Sequence, residues 1–207
     1  MKPVFGRVRV AGSRTSRQPS RSGHLASRSG LDWNQVDVFF TDDRAVPADH
    51  PESNHRMVSQ ALLSRVPIPA GRVHRMEAER ADRDAAAWAY ERLLPPRLDI
   101  LVLGMGADGH TASLYPGSPA LDERHRLVVP VTGPAAPAER LTITPPVIEA
   151  ARTVAVIVTG ADKAAMVARA LEGPLSPKAV PVQLARRGVW FLDPAAAGQL
   201  TRPRVTT

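Results

Sequence analysis

The sequence predicts an α/β fold with a mainly parallel sheet covered by helices. Short apolar segments typical of strands alternate with longer segments whose apolar residues recur at helical spacing. Residues 98–103 are almost entirely apolar, as expected for a strand that is buried on both faces. Of the 207 residues, 43% are hydrophobic but only 4% are aromatic, so we expect a core of Ala, Val, Leu and Ile.

The predicted elements follow one another from residue 31 onward. Strands are predicted at 36–41, 73–76, 98–103, 127–131, 141–144, 154–159 and 189–192. Helices are predicted at 51–65, 81–94 and 161–171, with a short helix after Pro146. Ser53 or Asn54 suits the N-cap of the first helix, and Pro95 ends the second. Because reactive loops lie at the carboxyl ends of parallel strands, the loops after Phe40, Leu103 and Val158 are the places to search.

The formal net charge of +7 is confined to the first part of the chain. Residues 1–30 hold seven basic residues and no acidic one, whereas residues 31–207 hold 20 of each. We predict a disordered basic segment over 1–30, rich in Ser, Arg and Gly, and one α/β domain over 31–207. The neutral domain argues against a nucleic-acid partner. An organellar transit peptide also fits this start, although Gly and Pro interrupt its amphipathic helix.

The composition excludes several kinds of chemistry. The chain contains no Cys, which excludes disulfide scaffolds, thiol catalysis and Fe–S clusters. It contains neither an HExxH ligand pair nor a G-x-S-x-G elbow, so we expect no metal and no serine nucleophile. Its apolar runs are far shorter than the ~18 residues that a membrane span needs. We therefore expect a soluble, cytoplasmic protein.

A glycine-rich loop follows the strand predicted at 98–103. Gly104, Gly106 and Gly109 allow positive φ and the close approach of backbone N–H groups to a ligand. His110 can act as a general base near pH 7, and Asp108 can orient it or stabilise its charged form. The alternative is a tight turn with a solvated histidine and a capping aspartate.

Three cations lie in comparable positions. Arg44 follows Asp42 and Asp43 at the end of the first predicted strand, where it can bind a phosphate while the carboxylates accept sugar hydroxyls or hold the arginine. Arg140 precedes a strand, and Lys163 begins a helix whose N-terminus favours an anion. The alternatives are a self-paired surface turn for the first group and solvated surface charges for the other two.

Residues 31–200 resemble the 6-phosphogluconolactonase family. The segments that carry the resemblance are, in order, DWNQVDVFFTDDRAVPADHPESN, LDILVLGMGADGHTASLYPG, RLTIT, GADK, PVQL and FLDPAAA. The resemblance implies a Rossmann-like fold and hydrolysis of 6-phospho-D-glucono-1,5-lactone to 6-phosphogluconate, in the oxidative pentose phosphate pathway, without metal or cofactor. We expect the protein to be a monomer or a weak homodimer.

The resemblance also implies roles for individual residues. His110 matches the general base that takes a proton from the attacking water, and Asp108 matches the acid beside it. Arg44, Arg140 and Lys163 match cations that hold the phosphate or line the pocket, and Asp43 belongs to the same substrate-binding set. Gly104, Gly106 and Gly109 would support the developing oxyanion through backbone N–H groups.

The N-terminal region departs from the family pattern. Family members begin with a strand, a glycine-rich phosphate loop and a helix, whereas residues 6–30 read GRVRVAGSRTSRQPSRSGHLASRSG. We therefore expect the first strand, the loop and the helix to be missing and the activity to be impaired. The composition of this segment is that of a shifted reading frame or a wrong start joined to an otherwise normal gene.

Two other functions stay open. The related glucosamine-6-phosphate isomerases and deaminases share the glycine loop, but there it continues with Ile-Ala-Phe-Asn-Glu, whose acid is absent from residues 111–115 of this chain. The second alternative is an inactive homologue, or a protein whose basic arm binds nucleic acid.

Overall fold

The structure, a computed structural model, describes residues 8–12 and 31–201 and confirms the α/β fold. The strands are β1 Val8–Gly12, β2 Val36–Phe40, β3 Asp42–Arg44, β4 Val73–His74, β5 Ile100–Leu103, β6 Val128–Thr132, β7 Glu139–Ile143, β8 Thr153–Val158 and β9 Val189–Leu192. The α-helices are α1 Asn54–Ala61, α2 Arg83–Glu91, α3 Pro145–Ala150 and α4 Ala164–Glu172. Within this part of the chain a parallel six-stranded sheet has the order β4-β2-β1-β5-β8-β9.

The strand expected to be missing is present at the centre of this sheet. β1 pairs with β2 from Val8 opposite Val36 to Gly12 opposite Phe40, and it pairs with β5 on its other side. The expectation that the first strand is lost was therefore wrong, and so was disorder over residues 8–12. The glycine-rich loop and the helix, also expected to be missing, would fall within 13–30, outside the described residues.

The basic residues in and around β1 are the reason that this strand was not predicted from the sequence. Val8 and Val10 face one side of the sheet and Arg9 faces the other, which is the alternation of a strand. The guanidinium of Arg9 lies 3.9 Å from the carboxylate of Asp99, whose Oδ2 also accepts the Arg9 N–H at 3.0 Å. A partnered arginine is therefore compatible with a strand that composition alone assigns to a disordered tail.

A second sheet is formed by three antiparallel strands in the order β3-β7-β6. The sequence predicted residues 42–44 to be a loop, but they pair with β7 across the register Asp42–Thr142, Asp43–Leu141 and Arg44–Arg140. Three consecutive charged residues show no alternation of apolar and polar side chains, so the sequence does not predict a strand here. The strand is recognised only from its pairing with β7. This sheet follows the carboxyl end of β2 and is joined to it through the Ile143 N–H, which donates to the Thr41 carbonyl at 2.8 Å.

The helices begin at side-chain caps. The Ser53 hydroxyl accepts the Arg56 N–H at 3.2 Å, which confirms the predicted N-cap of α1, and Asp82 caps α2 in the same way. The helix expected over 161–171 divides into a 3₁₀ turn, Ala161–Lys163, followed by α4. Elsewhere the predicted elements agree with the structure to within a few residues at each end.

The core lies between the sheet and the helices and is built mostly of Ala, Val, Leu and Ile. Leu101 and Leu103 of β5 and Val156 of β8 are completely buried, as is Phe40 at the end of β2. The carboxyl ends of β2 and β5 are thereby held rigidly where the reactive loops begin. Over 8–12 and 31–201, no helix has the length and apolar character needed to span a membrane.

Candidate active site

The loop after β5 is a closed turn built on its glycines. The Gly106 N–H donates to the His110 carbonyl at 3.0 Å, and the Gly109 N–H donates to the Gly106 carbonyl at 3.0 Å. Gly109 has φ +84°, a conformation that favours glycine. A Cβ on Gly106 would lie 2.2 Å from the His110 ring, so only glycine lets the imidazole lie across the turn.

His110 and Asp108 are in direct contact. Nδ1 of His110 lies 2.6 Å from Oδ1 of Asp108, and the same oxygen accepts the His110 backbone N–H at 3.1 Å. An ionised carboxylate can only accept hydrogen bonds, which assigns the proton of a neutral imidazole to Nδ1 and the lone pair to Nε2. The His110 side chain is 33% exposed, so Nε2 can meet water. This arrangement suits a general base.

Tyr115 joins this loop to the second sheet. Its ring centroid lies 4.9 Å from that of His110, with the planes inclined at 48°. The guanidinium of Arg140 lies 5.8 Å from the same ring, within the range of a cation–π contact. The base and Arg140 therefore contact one aromatic side chain.

Arg44 and Arg140 lie directly opposite each other on β3 and β7. Arg140 donates through Nη2 to the Ala135 carbonyl at 3.2 Å, and Arg44 donates through Nη1 to the Glu52 carbonyl at 2.5 Å. Within the described residues, the Nε of each arginine is buried and has no hydrogen-bond partner. The Arg44 guanidinium also pairs with Oε2 of Glu52 at 3.3 Å, so its charge is partly compensated. A buried unpaired donor costs about 1–3 kcal/mol, and an anion bound to the two Nε groups would relieve that cost.

Ser113 fastens the glycine loop to the two strands that carry the arginines. Its hydroxyl donates to Oδ2 of Asp42 at 2.7 Å, and its N–H donates to Oγ1 of Thr142 at 3.1 Å. Asp42 lies two residues before Arg44, and Thr142 two residues after Arg140, so all four side chains are on one face of the sheet. The histidine loop is thus bound to the face that presents the cations.

Asp43 does not belong to this face, and its expected contact with substrate stays a prediction. Its carboxylate is buried and accepts the N–H groups of Asn54, His55 and Arg44 at 2.7–3.1 Å, together with the Ser53 hydroxyl at 3.2 Å. It therefore completes the N-terminal cap of α1. Burial, opposed by the backbone hydrogen bonds, raises the pKa of Asp43, and the nearby Asp42 adds to the rise.

The structure places Lys163 on the neighbouring loop, after β8. Its ammonium donates to Oδ2 of Asp162 at 2.9 Å and lies 3.4 Å from the Thr159 carbonyl. Gly104 accepts the Thr111 hydroxyl at 2.8 Å through its carbonyl, so its visible role is also to shape the loop. Contact of Lys163 or of the glycines with a substrate stays a prediction.

A groove of about 950 Å³ lies elsewhere on the surface. It is bounded by Arg83 and Glu139, an ion pair at 2.9 Å, and by the segment around Glu123. It contains neither His110 nor the two arginines. The chemistry of the side chains, rather than the volume of the groove, locates the candidate site.

Known proteins share this sequence and architecture. The profile of the family described as glucosamine-6-phosphate isomerases/6-phosphogluconolactonase matches residues 7–191. The chain belongs to this family. The match begins at the residue before β1, so the central strand is part of the family pattern.

Curated relatives and solved structures carry the lactonase name. The 6-phosphogluconolactonase of Homo sapiens is 42% identical over 176 residues, which cover 79% of this chain and 68% of the human protein. That of Streptomyces coelicolor is 39% identical over 194 residues, covering 85% of this chain and 74% of the relative. The crystal structure of the Thermotoga maritima 6-phosphogluconolactonase is 26% identical, with a TM-score of 0.80 over 91% of this chain and 86% of that one.

Sequence reasoning did not identify every residue that the structure brings together here. It predicted His110, Asp108, Arg44 and Arg140 as candidate site residues, but not the contact of Tyr115 with His110 or the anchoring of Ser113. Tyr115 and Ser113 both belong to the motif that contains His110, since they lie within five residues of it. Their roles depend on Asp42, Thr142 and Arg140, which come close only after β3 and β7 pair.

Proposed function

We propose that this protein hydrolyses 6-phospho-D-glucono-1,5-lactone to 6-phosphogluconate in the oxidative pentose phosphate pathway. The observation that carries the proposal is that the histidine loop is hydrogen-bonded to the two strands that carry a pair of opposed arginines, whose buried Nε groups have no partner among the described residues. Such a site combines a base with a receptor for an anion. A lactone that carries a phosphate supplies an electrophilic carbonyl and that anion in one small molecule.

His110 is the general base in this reaction. Its Nε2 takes a proton from a water molecule as the water oxygen bonds to the lactone carbonyl carbon. The carboxylate of Asp108, 2.6 Å from Nδ1, stabilises the imidazolium that forms. When the tetrahedral intermediate collapses, the bond to the ring oxygen breaks and the proton passes from Nε2 to that oxygen. The products are the free hydroxyl and a carboxylic acid, which loses the second proton of the water to solvent and becomes the carboxylate.

Arg44 and Arg140 bind the phosphate. Each offers a buried Nε donor, and charge-assisted hydrogen bonds from arginine to phosphate are among the stronger ones in proteins. Binding energy gained there, away from the reacting carbon, holds the carbonyl next to the base. Lys163 contributes a further positive charge on the neighbouring loop.

The N–H groups of the glycine turn contribute less than the family resemblance implies. Those of Gly106 and Gly109 donate to carbonyls within the loop. In the observed conformation these two amides do not supply the donors for an oxyanion. Their glycines instead keep the imidazole in place above the turn.

The test is an enzyme assay with two substrates. Purified protein should accelerate the opening of freshly prepared 6-phosphoglucono-1,5-lactone above its spontaneous rate, measured by the acid released. Glucosamine 6-phosphate should yield no ammonia, because residues 111–115 lack the acid that the deaminases carry there. Ammonia release without lactone opening would overturn the proposal in favour of the deaminase, and the absence of both activities would favour an inactive homologue.

A further inference from the structure

Tyr115 contacts both His110 and Arg140. Its ring centroid lies 4.9 Å from that of the His110 imidazole and 5.8 Å from the Arg140 guanidinium carbon. The mechanism proposed above assigns it no role. The two groups that it contacts are, however, the base and a phosphate-binding cation.

The backbone on both sides of Tyr115 is held firmly. Leu114, the preceding residue, is completely buried, and its N–H donates to the Thr111 carbonyl at 2.9 Å. The Tyr115 carbonyl accepts the Ser118 N–H at 3.0 Å. A tyrosine side chain has only two rotatable bonds before its rigid ring, so an anchored backbone also fixes the position of the ring.

Gly133 completes the packing around Arg140 and Tyr115. A Cβ at this position would lie 2.7 Å from Nε of Arg140 and 2.9 Å from the Tyr115 hydroxyl oxygen. The glycine therefore leaves room for both side chains at one place. A shift of the tyrosine ring would therefore change the packing around the guanidinium.

We propose that Tyr115 is a positioning residue that sets the separation between His110 and Arg140 and thereby selects a lactone that carries a phosphate. The proposal rests on the proposed function. In such a substrate the carbonyl and the phosphate are joined through a six-membered ring and one exocyclic CH2–O link, which restricts the distance between them. A base and a cation held at the matching distance act on it together, whereas an unphosphorylated lactone contacts only the base.

The test compares two lactones in two variants. Glucono-1,5-lactone and its 6-phosphate are assayed with wild type, Tyr115→Leu and Tyr115→Phe. We expect Tyr115→Leu to lower the ratio of kcat/KM for the phosphorylated lactone to that for the unphosphorylated one by roughly ten- to a hundredfold, since small misplacements are costly. Tyr115→Phe keeps the ring and should retain most of the wild-type ratio.

A merely structural role would lower kcat/KM for both lactones by the same factor, and that result would overturn the proposal. Gly133→Ala provides an independent perturbation, because its methyl group must move Arg140 or Tyr115. We expect it to lower the ratio in the same direction. Thermal unfolding of each variant shows whether the fold is retained.

A second measurement separates this inference from the proposed function. If wild type opens neither lactone, the proposed function fails, and the role of Tyr115 is then judged by titration with inorganic phosphate followed through the His110 ring resonances. In wild type and Tyr115→Phe, phosphate should shift these resonances. In Tyr115→Leu we expect the shift to fall severalfold, and an unchanged shift would overturn the inference.

Discussion

His110 and Arg140 contact the same tyrosine ring, but the regions that hold them are built differently. The histidine lies on a short turn whose backbone hydrogen bonds, Gly106 to His110 and Gly109 to Gly106, join near neighbours in sequence, and its side chain is one-third exposed. The arginine lies on a strand that pairs with β6 and with β3, the latter about a hundred residues earlier in the sequence, and only 7% of it is exposed. The turn is anchored to the rest of the fold by Ser113 and by the Val182 N–H, which donates to the Gly109 carbonyl at 2.9 Å. The strand pair instead buries two Nε donors that have no hydrogen-bond partner among the described residues.

The two regions are suited to different tasks, the histidine loop to proton transfer and the strand pair to anion binding. A base must reach water, so an exposed loop stiffened by its own backbone is suitable. A phosphate receptor gains from burial, because a charge-assisted hydrogen bond is stronger where water is excluded. The cost of the two Nε donors that lack partners among the described residues is relieved only when an anion binds. Changes in the loop should therefore affect turnover, and changes in the strand pair should affect both affinity and stability.

The largest effect is expected at the base. His110→Ala should lower kcat by roughly 10²–10⁴-fold, the usual contribution of a general base, and should leave the unfolding temperature almost unchanged because the side chain is partly exposed. Steady-state hydrolysis of the phosphorylated lactone measures the first quantity and thermal unfolding the second. His125→Ala, at an exposed histidine, is the matched control and should be active. A His110→Ala enzyme with wild-type turnover would remove the histidine from the mechanism.

Arg44 tests the other region. Arg44→Leu should weaken inorganic phosphate binding by roughly ten- to a hundredfold, as expected for the loss of about 1.5–3 kcal/mol in a charged hydrogen bond. Without phosphate the variant should unfold at a temperature close to that of wild type, because the removal of one of two opposed charges and of a buried unpaired donor offsets the loss of the Nη1 contacts with Glu52. Calorimetric titration and thermal unfolding measure the two effects.

Arg83→Leu is the control for that experiment, since Arg83 pairs with Glu139 away from the site. Its phosphate affinity should match that of wild type. If Arg44→Leu instead loses stability and keeps its affinity, the arginine pair is a structural element and the contrast between the two regions fails.

The same contrast explains what the sequence could predict. Every residue needed to recognise the histidine loop lies within 104–110, and the strand before it is a continuous apolar run. Both can therefore be predicted from a short stretch of sequence. β3 consists of three charged residues and shows no apolar pattern. β1 does alternate valine with arginine, but it lies in a basic segment whose composition is typical of disorder. Asp43 has the composition of a ligand-binding residue, but the helix that follows uses its carboxylate as a cap.

A smaller effect is expected at Tyr90, which supports the end of β2. Its buried hydroxyl accepts the Phe40 N–H at 2.7 Å and donates to the Phe40 carbonyl at 3.1 Å. Burial raises the pKa of Tyr90 far above the usual range, so the hydroxyl stays protonated and can donate. Tyr90→Phe leaves two buried backbone groups unpaired and should lower the free energy of unfolding by about 2 kcal/mol.

Urea unfolding measures that loss, and Tyr115→Phe is the comparison because its ring is only half-buried. We expect the second variant to lose much less stability. Equal losses would show that the hydroxyl of Tyr90 contributes no more than that of a partly exposed tyrosine, and that the end of β2 is held by packing alone.

The smallest effect is a pH dependence that originates in the Asp43 cap rather than in the site. Because burial raises the pKa of Asp43 above 3.8, the folded state binds a proton there more tightly than the unfolded state does. The charged carboxylate therefore costs stability at neutral pH, and this cost disappears as the pH falls from the raised value to 3.8. Asp43→Asn cannot titrate at this position. Measured by urea unfolding at a series of pH values, the stability of wild type relative to Asp43→Asn should increase as the pH is lowered through that window. A change in the opposite direction would mean that the four hydrogen bonds to the carboxylate outweigh its burial.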